Sequence, residues 1–289
     1  MSNERHVVRF SVVDDNRQNL FLRTDKAVIA FDKNSGQLVQ LVYNNQNMLA
    51  GRDGFKYNYY RAINNDRREY IEDLTRLDSF KYNELADGKV RVKVSYTEKI
   101  GSQVVPYNIL YEANPTDGSI LVSAKFGIDE KYNLPRIGLQ TLLNSRLENV
   151  TWYGRGPMEN YPDRKDCAFV GIYKKTVDEM AEKYVRACSM GERCDVRWVS
   201  LTDNAGKGIR ITSGCDLFDF CAQHYTDRDL WNVVYGHDLP SIRKEETVFS
   251  MDAGMRGIGN ASCGPQPLQK YELETNKTYE LSFVISPQN

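Results

Sequence analysis

The sequence predicts an all-β protein, one large sandwich of two extended sheets with one or two short helices. Three observations carry this. Apolar and polar residues alternate with period two in segment after segment, the pattern of half-buried strands. Asn, Asp, Ser and Gly separate these segments in pairs, as hairpin turns require. Helix signals are few, and neither a Pro-, Gly- or Ser-rich linker nor a repeat of solenoid length divides the 289 residues.

Taken in order, residues 1–20 read as a linker or leading strand and 21–289 as the sandwich domain. Residues 27–31 and 37–43 flank Asp32-Lys-Asn-Ser-Gly36 and form a hairpin. In 90–96 the alternation Val-Arg-Val-Lys-Val-Ser-Tyr is strict. Residues 104–112 and 119–128 flank Asn114-Pro-Thr-Asp-Gly118. Residues 196–202 and 208–212 flank Asp203-Asn-Ala-Gly-Lys207, and 271–274 and 279–286 flank Thr275-Asn-Lys-Thr278. Thr176-Val-Asp-Glu179 is a capping box ahead of 180–185, and Thr226-Asp-Arg-Asp229 stands likewise ahead of 230–235. Each would give about two turns, too short to stand without packing.

Composition narrows the partners. With 38 basic and 39 acidic residues the formal charge is −1, so no global field recruits nucleic acid or an anionic membrane. No apolar run of about 18 residues is present to span a bilayer. The polar start Met1-Ser-Asn-Glu-Arg-His lacks the apolar core of a signal peptide, and the sequence chooses neither cytoplasm nor periplasm. A neutral partner such as a sugar fits the charge balance. The 18 tyrosines fit it too, because an aromatic face covers the C–H face of a pyranose; β propensity alone explains them as well. The six cysteines, Cys167, Cys188, Cys194, Cys215, Cys221 and Cys263, form no CxxC pair and read mostly as buried thiols. No carboxylate set has metal-ligand spacing, and no Gly-rich phosphate cradle is present, so neither metal nor nucleotide cofactor is expected.

The densest candidate for chemistry is Trp152-Tyr-Gly-Arg-Gly-Pro-Met-Glu-Asn-Tyr-Pro-Asp-Arg164. Its glycines and prolines fix an irregular backbone that carries Arg155, Glu159, Asn160, Tyr161, Asp163 and Arg164. Such a loop suits preorganised hydrogen bonding to a ligand or a neighbouring domain, or simply to itself.

Residues 154–164 closely resemble the Gly-x-Gly-Pro-x-Glu-Asn-Tyr-x-Asp-Arg signature in the last domain of family 2 β-galactosidases. Four further segments resemble that domain in the same order. They are Phe31-Asp-Lys-Asn-Ser-Gly-Gln-Leu38, Arg61-Ala-Ile-Asn-Asn-Asp66, Arg193-Cys-Asp-Val-Arg-Trp198 and Gly257-Ile-Gly-Asn-Ala-Ser-Cys-Gly-Pro265. The resemblance covers residues 20–287. It implies a two-sheet supersandwich like that of the aldose epimerases. It also implies that the catalytic acid and nucleophile lie on an upstream (β/α)₈ barrel, so this chain alone would not hydrolyse lactose.

By the same resemblance the chain would complete the rim of a β-galactoside site, with a homo-oligomer as a further possibility. Asn65, Asp66 and Arg67 would face the barrel, and Arg61, Arg193, Asp195 and Arg197 belong to the matching segments. Cys263 stands where tryptophan stacks on sugar in other members. The sequence departs from the family at Met158 and at Tyr184-Val-Arg-Ala-Cys-Ser-Met-Gly191, where a polar centre is replaced. Those departures leave the substrate open among β-galactosides.

Three other readings compete. A free-standing aldose 1-epimerase needs a histidine acid, and only His6, His224 and His237 exist. An independent carbohydrate-binding module would use exposed aromatics such as Tyr57, Tyr59, Tyr60 and Tyr70. A purely structural buttress would pack on other domains and leave apolar surface exposed in isolation.

Overall fold

The computed structural model describes residues 7–52, 54–66, 71–260 and 264–289. The first half of the chain supplies β1 (Val12–Asp15), β2 (Asn19–Arg23), β3 (Val28–Asp32), β4 (Leu38–Tyr43), β5 (Gln46–Asn47), β6 (Lys56–Asn58), β7 (Asp73–Glu84), β8 (Val90–Ile100), β9 (Gln103–Ala113), β10 (Ile120–Ile128) and β11 (Arg136–Leu143). The second half supplies β12 (Asn149–Gly156), β13 (Phe169–Thr176), α1 (Val177–Met180), β14 (Arg193–Val196), β15 (Trp198–Thr202), β16 (Gly208–Ser213), β17 (Phe218–Gln223), α2 (Asp227–Asn232), β18 (Thr247–Met255) and β19 (Lys277–Gln288).

One layer is a nine-stranded sheet in the order β13-β12-β15-β16-β19-β10-β9-β8-β7. The other consists of two five-stranded sheets, β1-β2-β3-β4-β5 and β14-β17-β18-β11-β6. These two meet at a Leu49–Leu143 bridge. The Ala50 N–H donates to the Leu142 carbonyl and the Asn144 N–H to the Met48 carbonyl, each at 2.9 Å. Hydrogen bonding thus defines three sheets, while packing gives the two faces of a supersandwich.

Alternation explains the core between them. On β8, Val90, Val92, Val94 and Tyr96 are buried while Lys93 is exposed. Rings interlock across the layers. Phe31 of β3 meets Tyr111 of β9 edge-on at 5.1 Å, and Tyr57 of β6 meets Phe126 of β10 at 5.3 Å. Trp152 of β12 meets Phe220 of β17 at 6.1 Å. Much of the tyrosine content therefore serves the core. Tyr57, Tyr59 and Tyr60, candidates for sugar platforms, are buried, and Tyr70 lies outside the described residues.

The hairpins expected at 27–43 and 104–128 form as β3–β4 and β9–β10. The turn into β4 needs Gly36, whose φ is +73°. A Cβ there would lie 2.5 Å from Val94 Cγ1 and 2.6 Å from the Tyr96 hydroxyl. Gly36→Ala is expected to cost about 2–3 kcal/mol, combining left-handed strain with overpacking. Urea unfolding measures it, and a loss below about 0.5 kcal/mol would contradict the account.

Four expectations need correction. Residues 196–202 are not one strand. Val196 pairs with Phe218 in one layer and Trp198 begins β15 in the other, so the chain changes layers at Arg197. Residues 271–274 make no strand. The Tyr271 carbonyl accepts from the Gly257 N–H at 2.8 Å, and Glu272 is held by Arg256, so this segment serves a loop instead of a ladder. The first helix stops at Met180. Beyond it the backbone pairs with 234–236 through Ala187 N–H to Val234 and Gly236 N–H to Val185. Its capping box is present, as is that of α2, which spans Asp227–Asn232. Nor are the thiols mostly buried. Cys194 and Cys221 are buried, Cys188 is half-buried, and Cys167 and Cys215 are exposed.

Candidate functional site

Three of the singled-out segments converge, and buried polar contacts join them. Arg61 is fully enclosed and grips Asp66 with two hydrogen bonds, Nε to Oδ2 at 2.8 Å and Nη2 to Oδ1 at 2.9 Å. Its remaining donors reach the carbonyls of Gly257, at 2.8 Å, and Arg256. Asp163 fastens the same strip from the other side. Its carboxylate accepts from the Ile258 N–H at 2.9 Å and the Gly259 N–H at 2.7 Å. Bidentate and charge-assisted bonds of this kind fix geometry as well as adding energy.

The loop 154–164 is pinned from beneath. Asn160 is fully buried, accepts from the Cys194 N–H at 2.8 Å and donates to the Met158 carbonyl at 3.0 Å. Glu159 is also buried. It accepts from Tyr161 at 3.3 Å, from the Gly191 N–H at 2.9 Å and from the Tyr184 hydroxyl, with the exposed Arg164 guanidinium 3.7 Å away. A cis peptide joins Gly156 to Pro157.

Between these segments opens a cleft of about 670 Å³. Glu159, Tyr161, Arg164, Tyr184, Arg186 and Asn260 contribute to its wall. Burial pushes the Tyr184 hydroxyl up, and the hydrogen bond to Glu159 adds to it. Burial first, then the nearby Glu159 charge, raises the Cys188 thiol on the same wall to about 11. At neutral pH it is therefore no nucleophilic thiolate.

The remaining candidates sit behind the loop. Asp195, at φ +56° on a bulge of β14, takes a short bond from Arg155 and a 2.9 Å bond from Lys165. Arg197 donates to the Asp195 carbonyl at 2.6 Å and lies over the Tyr153 ring. Arg193 is fully buried with its guanidinium 5.4 Å from the centre of Trp152. Arg155, Arg193, Asp195 and Arg197 thus fasten β12 to β14. Asn65 belongs to the 3-10 turn Asn64–Asp66. Arg67 and Cys263 lie outside the described residues.

Sequence reasoning missed two groups. Arg256 binds Asp66 at 2.9 Å and Glu272 with two bonds, holding the strip that it precedes. Its position directly before Gly257 was the available signal. The second group is a buried cluster in which Arg136 pairs with Asp252 through two 2.7 Å bonds and with Asp227 at 3.1 Å, beside Glu192 at 3.6 Å. Its signal was charge at inward positions of apolar strands. Among the described residues no set of three or more His, Cys, Asp or Glu is arranged to hold a metal ion. Among the same described residues no helix is long and apolar enough to cross a membrane.

Comparison with known proteins agrees with this architecture. A galactose mutarotase-like protein from Clostridium acetobutylicum superposes with a TM-score of 0.50 over 97% of each chain, at 8% identity. An aldose 1-epimerase from Escherichia coli K12, so described only by similarity, gives 0.50 over 92% of this chain and 97% of its own, at 7% identity. At such identities the likeness concerns fold alone. The β-galactosidase of Lactobacillus delbrueckii subsp. bulgaricus is 31% identical over 94% of this chain, and that of Priestia megaterium 26% identical over 95%. The chain spans only 27% of the length of either. The family described as beta galactosidase small chain matches residues 23–285. With its motif segments gathered on one cleft of a supersandwich, the chain belongs to the beta galactosidase small-chain family.

Proposed function

We propose that this chain completes the rim of the sugar site in a β-galactosidase and supports the catalytic portion of that enzyme, which resides in other residues. The observation that carries the reading is the convergence of 61–66, 154–164 and 257–260 on one cleft with an exposed arginine at its edge. The rim is rigid because Arg61 and Asp163 hold its backbone, which suits a site that must meet a ligand without reorganising. Its natural partners would be a terminal β-galactoside and the catalytic barrel.

The same geometry accounts for expected inactivity in isolation. A retaining glycosidase needs one carboxylate free to attack and one acid free to donate. Both Glu159 oxygens and both Asp163 oxygens already accept hydrogen bonds from the protein. An epimerase reading gains nothing from the histidines. His224 is buried between the Glu246 carbonyl and Glu148, His237 stacks on Tyr235, and neither lines the cleft.

Hydrolysis of a chromogenic β-galactoside tests the proposal. The chain alone should show no turnover, and adding the remaining portion of the parent enzyme should restore it. In the restored enzyme Arg164→Ala should raise KM about three- to tenfold with kcat less affected, the signature of lost ground-state binding. Turnover by the chain alone, or an unchanged KM in the variant, would count against it.

A further inference from the structure

A second cleft, of about 470 Å³, opens where the two layers part, between the edge strands β6 and β7. Its lining carries several polar and charged side chains among apolar ones. Asn58 and Gln140 stand on neighbouring strands of one layer, Asp73 and Thr75 on the facing edge of the other. Lys56 and Arg228 bring two positive charges to it, and Asp73 and Asp227 two negative ones. A balanced set favours a neutral ligand over a phosphate or an ammonium.

The amides carry the argument further. The Ser250 hydroxyl accepts from Asn58 Nδ2 at 3.2 Å and from Gln140 Nε2 at 3.0 Å, so one buried hydroxyl fixes the orientation of both. No other side-chain hydrogen bond engages either amide among the described residues, and Asn58 is only 7% exposed. Each therefore retains a carbonyl oxygen and a second N–H beyond that contact. Buried polar groups normally find partners, and here the open space of the cleft is where a partner would sit. Opposite them, the Thr75 hydroxyl is held by Glu98 at 2.9 and 3.1 Å. Tyr57, Tyr59 and Tyr60 also border the cleft, but they are buried and offer no open ring face.

We propose that this cleft binds a neutral polyhydroxylated ring, a pyranose unit, through the oriented amides of Asn58 and Gln140 facing Asp73 and Thr75. Paired donors and acceptors on opposite walls match adjacent ring hydroxyls, each of which both donates and accepts. Volume and polarity fall in the range of small-ligand sites. The site shares no lining residue with the cleft of 154–164, so it stands independently of the rim reading. A sugar-processing enzyme holding it would have an ancillary glycan anchor.

The test is calorimetric and saturation-transfer NMR titration of the full chain with D-galactose and lactose at millimolar concentrations. One double variant, D73A with R228A, alters two exposed positions, one of which, Asp73, also acts on the buried Glu98. A second, R164A with R186A, alters the other cleft. Gln140→Leu is a third probe, of an amide rather than a charge. Binding weakened at least tenfold by the first double variant and by Gln140→Leu, but not by the second, is the expected result. Binding lost only in the second double variant overturns this inference and leaves the rim reading intact. Failure of the unmodified chain to bind either sugar overturns it outright.

Discussion

Arg136→Met should destabilise the chain by about 3–5 kcal/mol at pH 7, the range for removing one partner of a buried ion pair. Arg136 is the guanidinium of an enclosed cluster with Asp252, Glu192 and Asp227 around it. Burial raises both Asp252 and Glu192 above the ordinary carboxylate range, Glu192 strongly, and the arginine opposes that rise in each. Without it the carboxyls must be protonated or remain charged in apolar surroundings. The penalty should therefore shrink toward acid pH, where protons replace the lost cation, and grow toward alkaline pH. Urea unfolding of the variant and parent chain at pH 5 and pH 8 reads both effects. A loss below about 1 kcal/mol that is equal at the two pH values would show that the cluster does not depend on this residue.

That cluster also marks where legibility ended. Strands and hairpins could be read because alternation and turn chemistry are local. Val90 to Tyr96 needs no partner to declare its inward face, and Gly36 closes a turn whose residues are adjacent in sequence. The motif segments could be read as a group, but not their division of labour. Arg155 and Arg164 lie in one motif segment, yet the first, on β12, turns back onto Asp195 and the second faces the cleft. Only the third dimension separates them.

Non-local competition also defeated local pattern. Tyr271-Glu-Leu-Glu alternates like a strand, but Arg256 and Gly257 claim its groups. Residues 181–185 follow a sound capping box, yet Tyr184 is drawn to Glu159 and Val185 to Gly236. The strand apparent at 196–202 is broken by a change of layer at Arg197, forced by the bulge at Asp195. In the first two cases a hydrogen-bond partner distant in sequence outweighed a propensity worth less than about 1 kcal/mol per residue.

Glu98 offers the second large effect, and it follows from the same alternation. On β8 the inward stripe runs Val90, Val92, Val94, Tyr96, Glu98, Ile100, which places a carboxyl in line with the core. It is fully buried, and burial raises it from 4.5 to about 8 despite the Thr75 hydrogen bond that opposes the rise; the nearby Asp73 charge adds to it. In the folded chain the group thus keeps its proton between about pH 4.5 and pH 8, whereas in the unfolded chain it has lost it. Over that window the folded state holds more protons, so its stability declines as pH rises and the decline ends near pH 8. Glu98→Gln removes the ionisation while keeping shape and hydrogen-bonding capacity. The variant should match the parent chain near pH 4.5 and exceed it by about 2–4 kcal/mol at pH 8.5. Paired urea unfolding across that range decides the matter. Parallel curves would place Glu98 among ordinary carboxylates, whereas divergence toward alkaline pH would locate a single proton beneath the wall of the second cleft, where Thr75 and Asp73 stand.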